Sequence, residues 1–185
     1  MTTLLCGLVI FFSAHTFTMF RDKRQQAIDT IGMLPYRGLY SLVSLGGFVL
    51  IVMGYGDAPR VELWPTPMWL RSLAMLLMLP VFVLVAAVYL PGHIKAKIKN
   101  PMLMAVKTWA LAHLLANGDL ASALLFGCFL VWAIIDLVAV KRSGRSSVVD
   151  NPKPAFDVAA IAMGLAIYAA ILFFGHPYLS GVALV

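Results

Sequence analysis

Two histidines, His15 and His113, stand in stretches apolar enough to lie within a membrane. A titratable ring in hydrocarbon is expensive unless something satisfies it, so an intramembrane histidine marks a functional site by default. Neutral imidazole is a strong metal ligand. Two such rings on different helices are also an ordinary way to hold a b-type haem across a bundle.

The neighbours of His113 extend the pattern. Trp109, His113 and Asn117 recur every fourth residue, which places them on one face of a helix. Two readings follow. Asn117 is the hydrogen-bond partner of a structural histidine, or it orients the ring so that the other nitrogen can take a metal. Lys107, about two turns into the same segment, either pairs with Asp136 or faces an anionic group of a ligand such as a haem propionate. Arg37, Ser41, Ser44 and Gly47 or Phe48 form a small, polar stripe, the kind of face that packs inside a bundle. His93 and His176 fall at segment ends and read as solvent or headgroup residues. Cys6 and Cys128 lie in apolar runs and read as packed hydrophobes, neither a disulfide nor a zinc site.

The elements that must carry these residues are membrane helices. Of 185 residues, 62% are hydrophobic and 12% charged, with a mean hydropathy of +0.92. Soluble domains carry about 25% charge, so this is a polytopic membrane protein. Hydropathy predicts an all-α bundle of about six spans, at 3–20, 38–55, 68–90, 101–117, 119–140 and 155–175, forming a single domain over 1–185. Pro101 suits a first helical turn, Asn117-Gly118 a helix stop, and Asp119 a helix start, which makes spans four and five a tight antiparallel hairpin. The first segment does not read as a cleaved signal, because its basic cluster Arg21–Arg24 follows the apolar run instead of preceding it.

Charge sets the orientation. The predicted loops 21–37, 91–100 and 141–154 hold eleven of the 14 Lys and Arg. The positive-inside rule puts those loops in the cytoplasm and both termini on the outer side. Trp64, Trp69 and Tyr55 then fall at the level of an outer aromatic belt. The net charge of +6 is thereby accounted for as topogenic charge, which leaves no role for nucleic acid. Counted from the cytoplasmic ends at ~1.5 Å per residue, His15 lies about 9 Å deep and His113 about 18 Å, an offset that a tilted macrocycle accommodates.

The segments Ser13-Ala14-His15-Thr16, Arg37-Gly38-Leu39-Tyr40-Ser41-Leu42-Val43-Ser44-Leu45, Pro101-Met102-Leu103 and Trp109 to Leu120 together resemble the NnrU family across nearly the whole chain. That resemblance implies a multi-pass protein of the bacterial inner membrane, associated with denitrification and with nitrite and nitric oxide reductases. The superfamily is similar to the plant zeta-carotene isomerase, which uses b-type haem for cis–trans isomerisation. By motif, His15 and His113 match that enzyme's haem-ligand histidines, with Lys107, Trp109, Asn117 and Arg37 as candidate cofactor-binding neighbours. The chain departs from the pattern twice. Asn100-Pro101 stands where the family often has His-Pro, and Ala110 stands where the isomerase has a cysteine, so ligand exchange with a thiol is not available.

Three functions follow as expectations. The first is a haem b protein, with His15 and His113 as axial ligands, serving nitrogen-oxide reduction or sensing. The second is a haem-dependent isomerase of a lipophilic polyene. The third is a non-haem membrane assembly factor for a reductase. A transporter is disfavoured, since no inverted repeat or pair of broken helices is evident.

Overall fold

A computed structural model describes residues 1–144 and 147–180, with the side chains of 179 and 180 left aside. Arg145, counted above among the basic loop residues, lies outside the described residues. The described residues are helical without a named strand: α1 (Thr2–Phe17), α2 (Arg21–Ile31), α3 (Met33–Gly56), α4 (Met68–Ala87), α5 (His93–Ile98), α6 (Pro101–Ala116), α7 (Leu120–Arg142), α8 (Pro154–Ala170) and α9 (His176–Ser180). A π-helical turn, Ile171–Gly175, joins α8 to α9.

Four of these are long and apolar enough to cross a membrane: α3, α4, α7 and α8 with its continuation to Tyr178. About six were expected; among the described residues four, or up to five, meet the length of a span. The first segment stops at Phe17, where Thr18 Oγ donates to the His15 carbonyl at 2.7 Å. Sixteen residues make about 24 Å of helix, short of the ~30 Å hydrocarbon core. The chain then bends by 89° into α2, and α1 with α2 counts as a fifth span only if the bent pair is taken as one. The fourth expected span is α6, which at 16 residues is likewise a shorter apolar helix.

The basic segment after α1, expected as loop, is helix. Its residues (Arg, Lys, Gln, Ala) are good helix formers, Gln25 Nε2 donates to Asp29 at 2.8 Å one turn on, and Gly32 closes the C-terminus. Gly32 takes φ +87 and donates its N–H to Ile28, a conformation that disfavours any side chain.

Two compact units divide the chain. The first comprises Met1–Leu63 and Asp119–Cys128, the second Trp64–Gly118 and the described part of Phe129–Val185. Within the first, α1 lies against α3. In lipid there is little hydrophobic drive between helices, so close backbone approach at small residues must supply the contact. A Cβ on Gly7 would sit 2.6 Å from the Ile51 nitrogen, one on Gly47 2.8 Å from the Phe11 nitrogen, and one on Gly54 would overlap Leu4. The packed stripe of α3 therefore runs through Tyr36, Tyr40, Ser44, Gly47, Ile51 and Gly54. The expected stripe holds at Ser44 and Gly47, while Arg37, Ser41 and Phe48 turn outward and Tyr36 and Tyr40 take the place of the first two.

At the other end of α3, Asp119 starts α7 as expected. Its carboxylate accepts the Ser122 N–H at 3.0 Å and the Ser122 hydroxyl at 2.6 Å. With that hydroxyl proton committed, the Tyr55 hydroxyl must donate to Ser122 Oγ, at 2.9 Å. Arg60 approaches the same carboxylate at 3.9 Å and lies over the Tyr55 ring, so its partner is Asp119 and not Asp57 or Glu62.

Within the second unit, α4 packs against both α6 and α8. Val81, Leu84 and Ala105 form one buried cluster; Ala86, Ala87 and Ala160 form another. Gly164 meets the Val83 backbone so closely that a Cβ would lie 2.5 Å from its nitrogen, and Tyr168 donates its hydroxyl proton to the Met75 carbonyl at 3.1 Å. Large apolar residues such as Leu42 and Leu76 point outward, as a lipid-facing surface requires.

Candidate functional site

The two histidines expected within the membrane are held the same way. On α1, His15 Nδ1 lies 2.8 Å from the Phe11 carbonyl oxygen; on α6, His113 Nδ1 lies 2.9 Å from that of Trp109. A carbonyl oxygen only accepts, so Nδ1 carries the proton in both rings. In the neutral ring Nε2 then holds the lone pair, which is the nitrogen a metal would take. Both carbonyls belong to the residue four positions back, within reach because a helical side chain leans toward the preceding turn.

An aromatic ring flanks each imidazole. Phe11 stacks on His15 with centroids 4.0 Å apart and planes 25° apart, and Tyr40 of α3 approaches from the other helix at 5.6 Å. Trp109 is tilted 50° against His113 at 5.2 Å and meets Phe129 edge-on at 5.4 Å. Sequence reading singled out Trp109 but missed Phe11 and Tyr40. The signal for Phe11 was the same four-residue spacing; nothing local pointed to Tyr40.

His15 belongs to the first unit and His113 to the second. Around His15, the α3 stripe carries Ser44 between Tyr40 and Gly47, and its Oγ is buried without a hydrogen-bond partner among the described residues. Such orphans are rare, and a bound polar group is one way to satisfy them. Arg37, one turn before Tyr40, is exposed.

Around His113, one expectation needs correction. Asn117 does not bond the ring; its Nδ2 donates to the His113 carbonyl at 2.9 Å, capping the end of α6. The orienting acceptor is the Trp109 main chain. The next residue, Gly118, accepts the Trp64 N–H at 3.1 Å, and a Cβ there would overlap the Trp64 carbonyl oxygen. Lys107 is half-buried on α6 and forms no ion pair among the described residues, so the expected Lys107–Asp136 pair is absent.

The other two histidines differ. His93 opens α5, and its ring Nδ1 lies 2.8 Å from Asp157 Oδ2. The same carboxylate accepts the His93 N–H at 3.0 Å and the Ile94 N–H at 2.8 Å. Asp157, from the first turn of α8, thus caps α5 from another helix. This makes His93 part of a clamp, where the sequence suggested a solvent residue. His176 opens α9. Among the described residues, no group of three or more His, Cys, Asp or Glu is placed to hold a metal ion.

A family model described as NnrU protein matches residues 3–184. The chain belongs to the NnrU family. The match spans both units and both histidines, so the pinned rings of α1 and α6 are part of an NnrU protein. No curated protein and no solved structure matches the chain.

Proposed function

We propose that this NnrU protein binds b-type haem through His15 and His113 and serves the reduction of nitrite and nitric oxide in a bacterial inner membrane. The observation that carries the reading is the shared tautomer. Both intramembrane rings commit Nδ1 to a main-chain carbonyl one turn back, which orients Nε2 as a ligand atom. A haem needs only one or two protein ligands, since the porphyrin supplies four nitrogens. It therefore suits two isolated histidines better than a bare ion, which needs a cluster.

The other candidates have separate parts. Phe11, Tyr40 and Trp109 offer aromatic surface against a flat ring. Lys107, lacking a carboxylate partner, is the cation proposed for a propionate, and Arg37 a second. The Ser44 hydroxyl is proposed to meet a polar edge of the cofactor. Asn117 supports the site indirectly, by closing α6 just beyond His113. When bound, the haem would supply one-electron chemistry.

The positive-inside bias supports both termini on the outer side. An isomerase of a lipophilic polyene remains the second reading, resting on the motif match of the two histidines. A non-haem assembly factor is the third.

Absorption spectra of the purified protein test the proposal. The expected result is a Soret band with sharpened visible bands on dithionite reduction, altered by His15→Ala and by His113→Ala and lost in the double variant. A colourless wild type from haem-sufficient cells, with no haem uptake, would overturn it. Wild-type nitrite and nitric oxide reduction in cells carrying both variants would instead favour the assembly reading.

A further inference from the structure

The two faces of α1 are used differently. Leu4, Gly7, Phe11 and His15 meet α3, each at the spacing of one helical face. At 100° per residue Val9, Ser13, Thr16 and Phe17 turn away from α3, with Phe12 on the flank between the two faces. In the angle made by the 89° bend into α2, an open groove of about 530 Å³ is lined by Val9, Phe12, Ser13, Thr16, Phe17, Phe20 and Lys23. This volume falls within the ~300–1,000 Å³ of sites for small organic ligands.

The lining is mostly apolar, interrupted by the Ser13 and Thr16 hydroxyls. Val9, Phe12 and Phe17 supply its apolar surface on α1, and the one cation of the lining, Lys23, stands at the α2 end, with its ammonium 5.6 Å from the Phe20 ring centroid. Arg21, Asp22 and Arg24 are its neighbours in the first turn of α2, which leaves that turn with a net positive charge. A ligand matching this order has a long apolar tail and an anionic head. An apolar helix turning into a basic one also suits the boundary between hydrocarbon and headgroups, where juxtamembrane Lys and Arg attract anionic lipid.

We infer that the groove between α1 and α2 is a binding site for an anionic phospholipid, its acyl chain along Val9, Phe12 and Phe17 and its phosphate on Lys23. His15 is not part of the lining.

Native mass spectrometry of the full-length chain in detergent, titrated with phosphatidylglycerol or phosphatidylcholine, tests it. Phosphatidylglycerol is expected to bind in preference. Lys23→Ala should weaken that binding about five-fold, the effect of one lysine near a headgroup. Lys23→Arg should retain it, and Val9→Trp, which fills the groove, should abolish the preference. Lys141→Ala, an equal loss of charge on exposed α7, should leave it unchanged. Unchanged binding in Lys23→Ala, an equal loss for phosphatidylcholine, or an equal effect of Lys141→Ala would each overturn the assignment.

Discussion

Asp157 holds His93 twice, by its backbone N–H at 3.0 Å and by its ring Nδ1 at 2.8 Å. The two residues are 64 apart in sequence, so this carboxylate ties the first turn of α5 to the first turn of α8. Gly92 makes the approach possible, because a Cβ there would overlap the carboxylate.

Asp157→Ala should release the α5 N-terminus, lowering the thermal midpoint by about a few degrees. Hydrogen exchange at the His93 and Ile94 amides should speed up. Asp157→Asn, which keeps one acceptor oxygen, should fall between. If the exchange at both amides is unaltered in Asp157→Ala, the clamp does not hold α5.

The glycines of α3 divide into those that touch α1 and those that do not. Gly47→Ala must push Phe11 away and should destabilise the detergent-solubilised protein by about 1–3 kcal/mol. Gly46→Ala and Gly38→Ala meet nothing within 4 Å and should stabilise by up to about 1 kcal/mol, through helix propensity alone. Thermal unfolding of the three variants checks this; equal effects would mean that α1 and α3 do not approach at Gly47.

Lys107→Met separates two roles for an intramembrane cation. With no ion-pair partner among the described residues, its loss should raise the thermal midpoint of the haem-free protein. On the proposed function, the same variant should retain less haem through purification, read as the ratio of Soret to protein absorbance. Undiminished haem in Lys107→Met would remove the propionate role while leaving the histidines untouched.

Orientation is open to a direct measurement. Alkaline phosphatase fused to the C-terminus should be active, and fused after Lys97 inactive, if the basic segments are cytoplasmic. The opposite pattern would invert the proposed topology.

Much of the chain was legible because membrane helices write their apolar runs and their caps locally. The boundaries at Pro101, Asn117 and Asp119 needed only adjacent residues, and the hydropathy of α3, α4, α7 and α8 needed only their own composition. Span counting failed at α1 and α6, since an apolar run does not say where a helix bends or stops short. The break at Phe17 is made by a main-chain turn and a Thr18 cap that hydropathy does not register.

The residue types at His15 and His113, their four-residue spacing from Phe11 and Trp109, and the charge bias of the loops are properties of the sequence itself, and so are the candidate chemistry and the family. Only the tertiary structure decided which atoms those residues use. It assigned the ring proton to the Trp109 carbonyl and not to Asn117, brought Tyr40 to His15, and left Lys107 and Asp136 without an ion pair among the described residues. It also turned His93 from a loop residue into one half of a clamp. The reason is physical: spacing along one helix is set by the backbone, whereas contacts between helices depend on how closely glycines such as Gly7, Gly47 and Gly164 let them approach, and at what rotation.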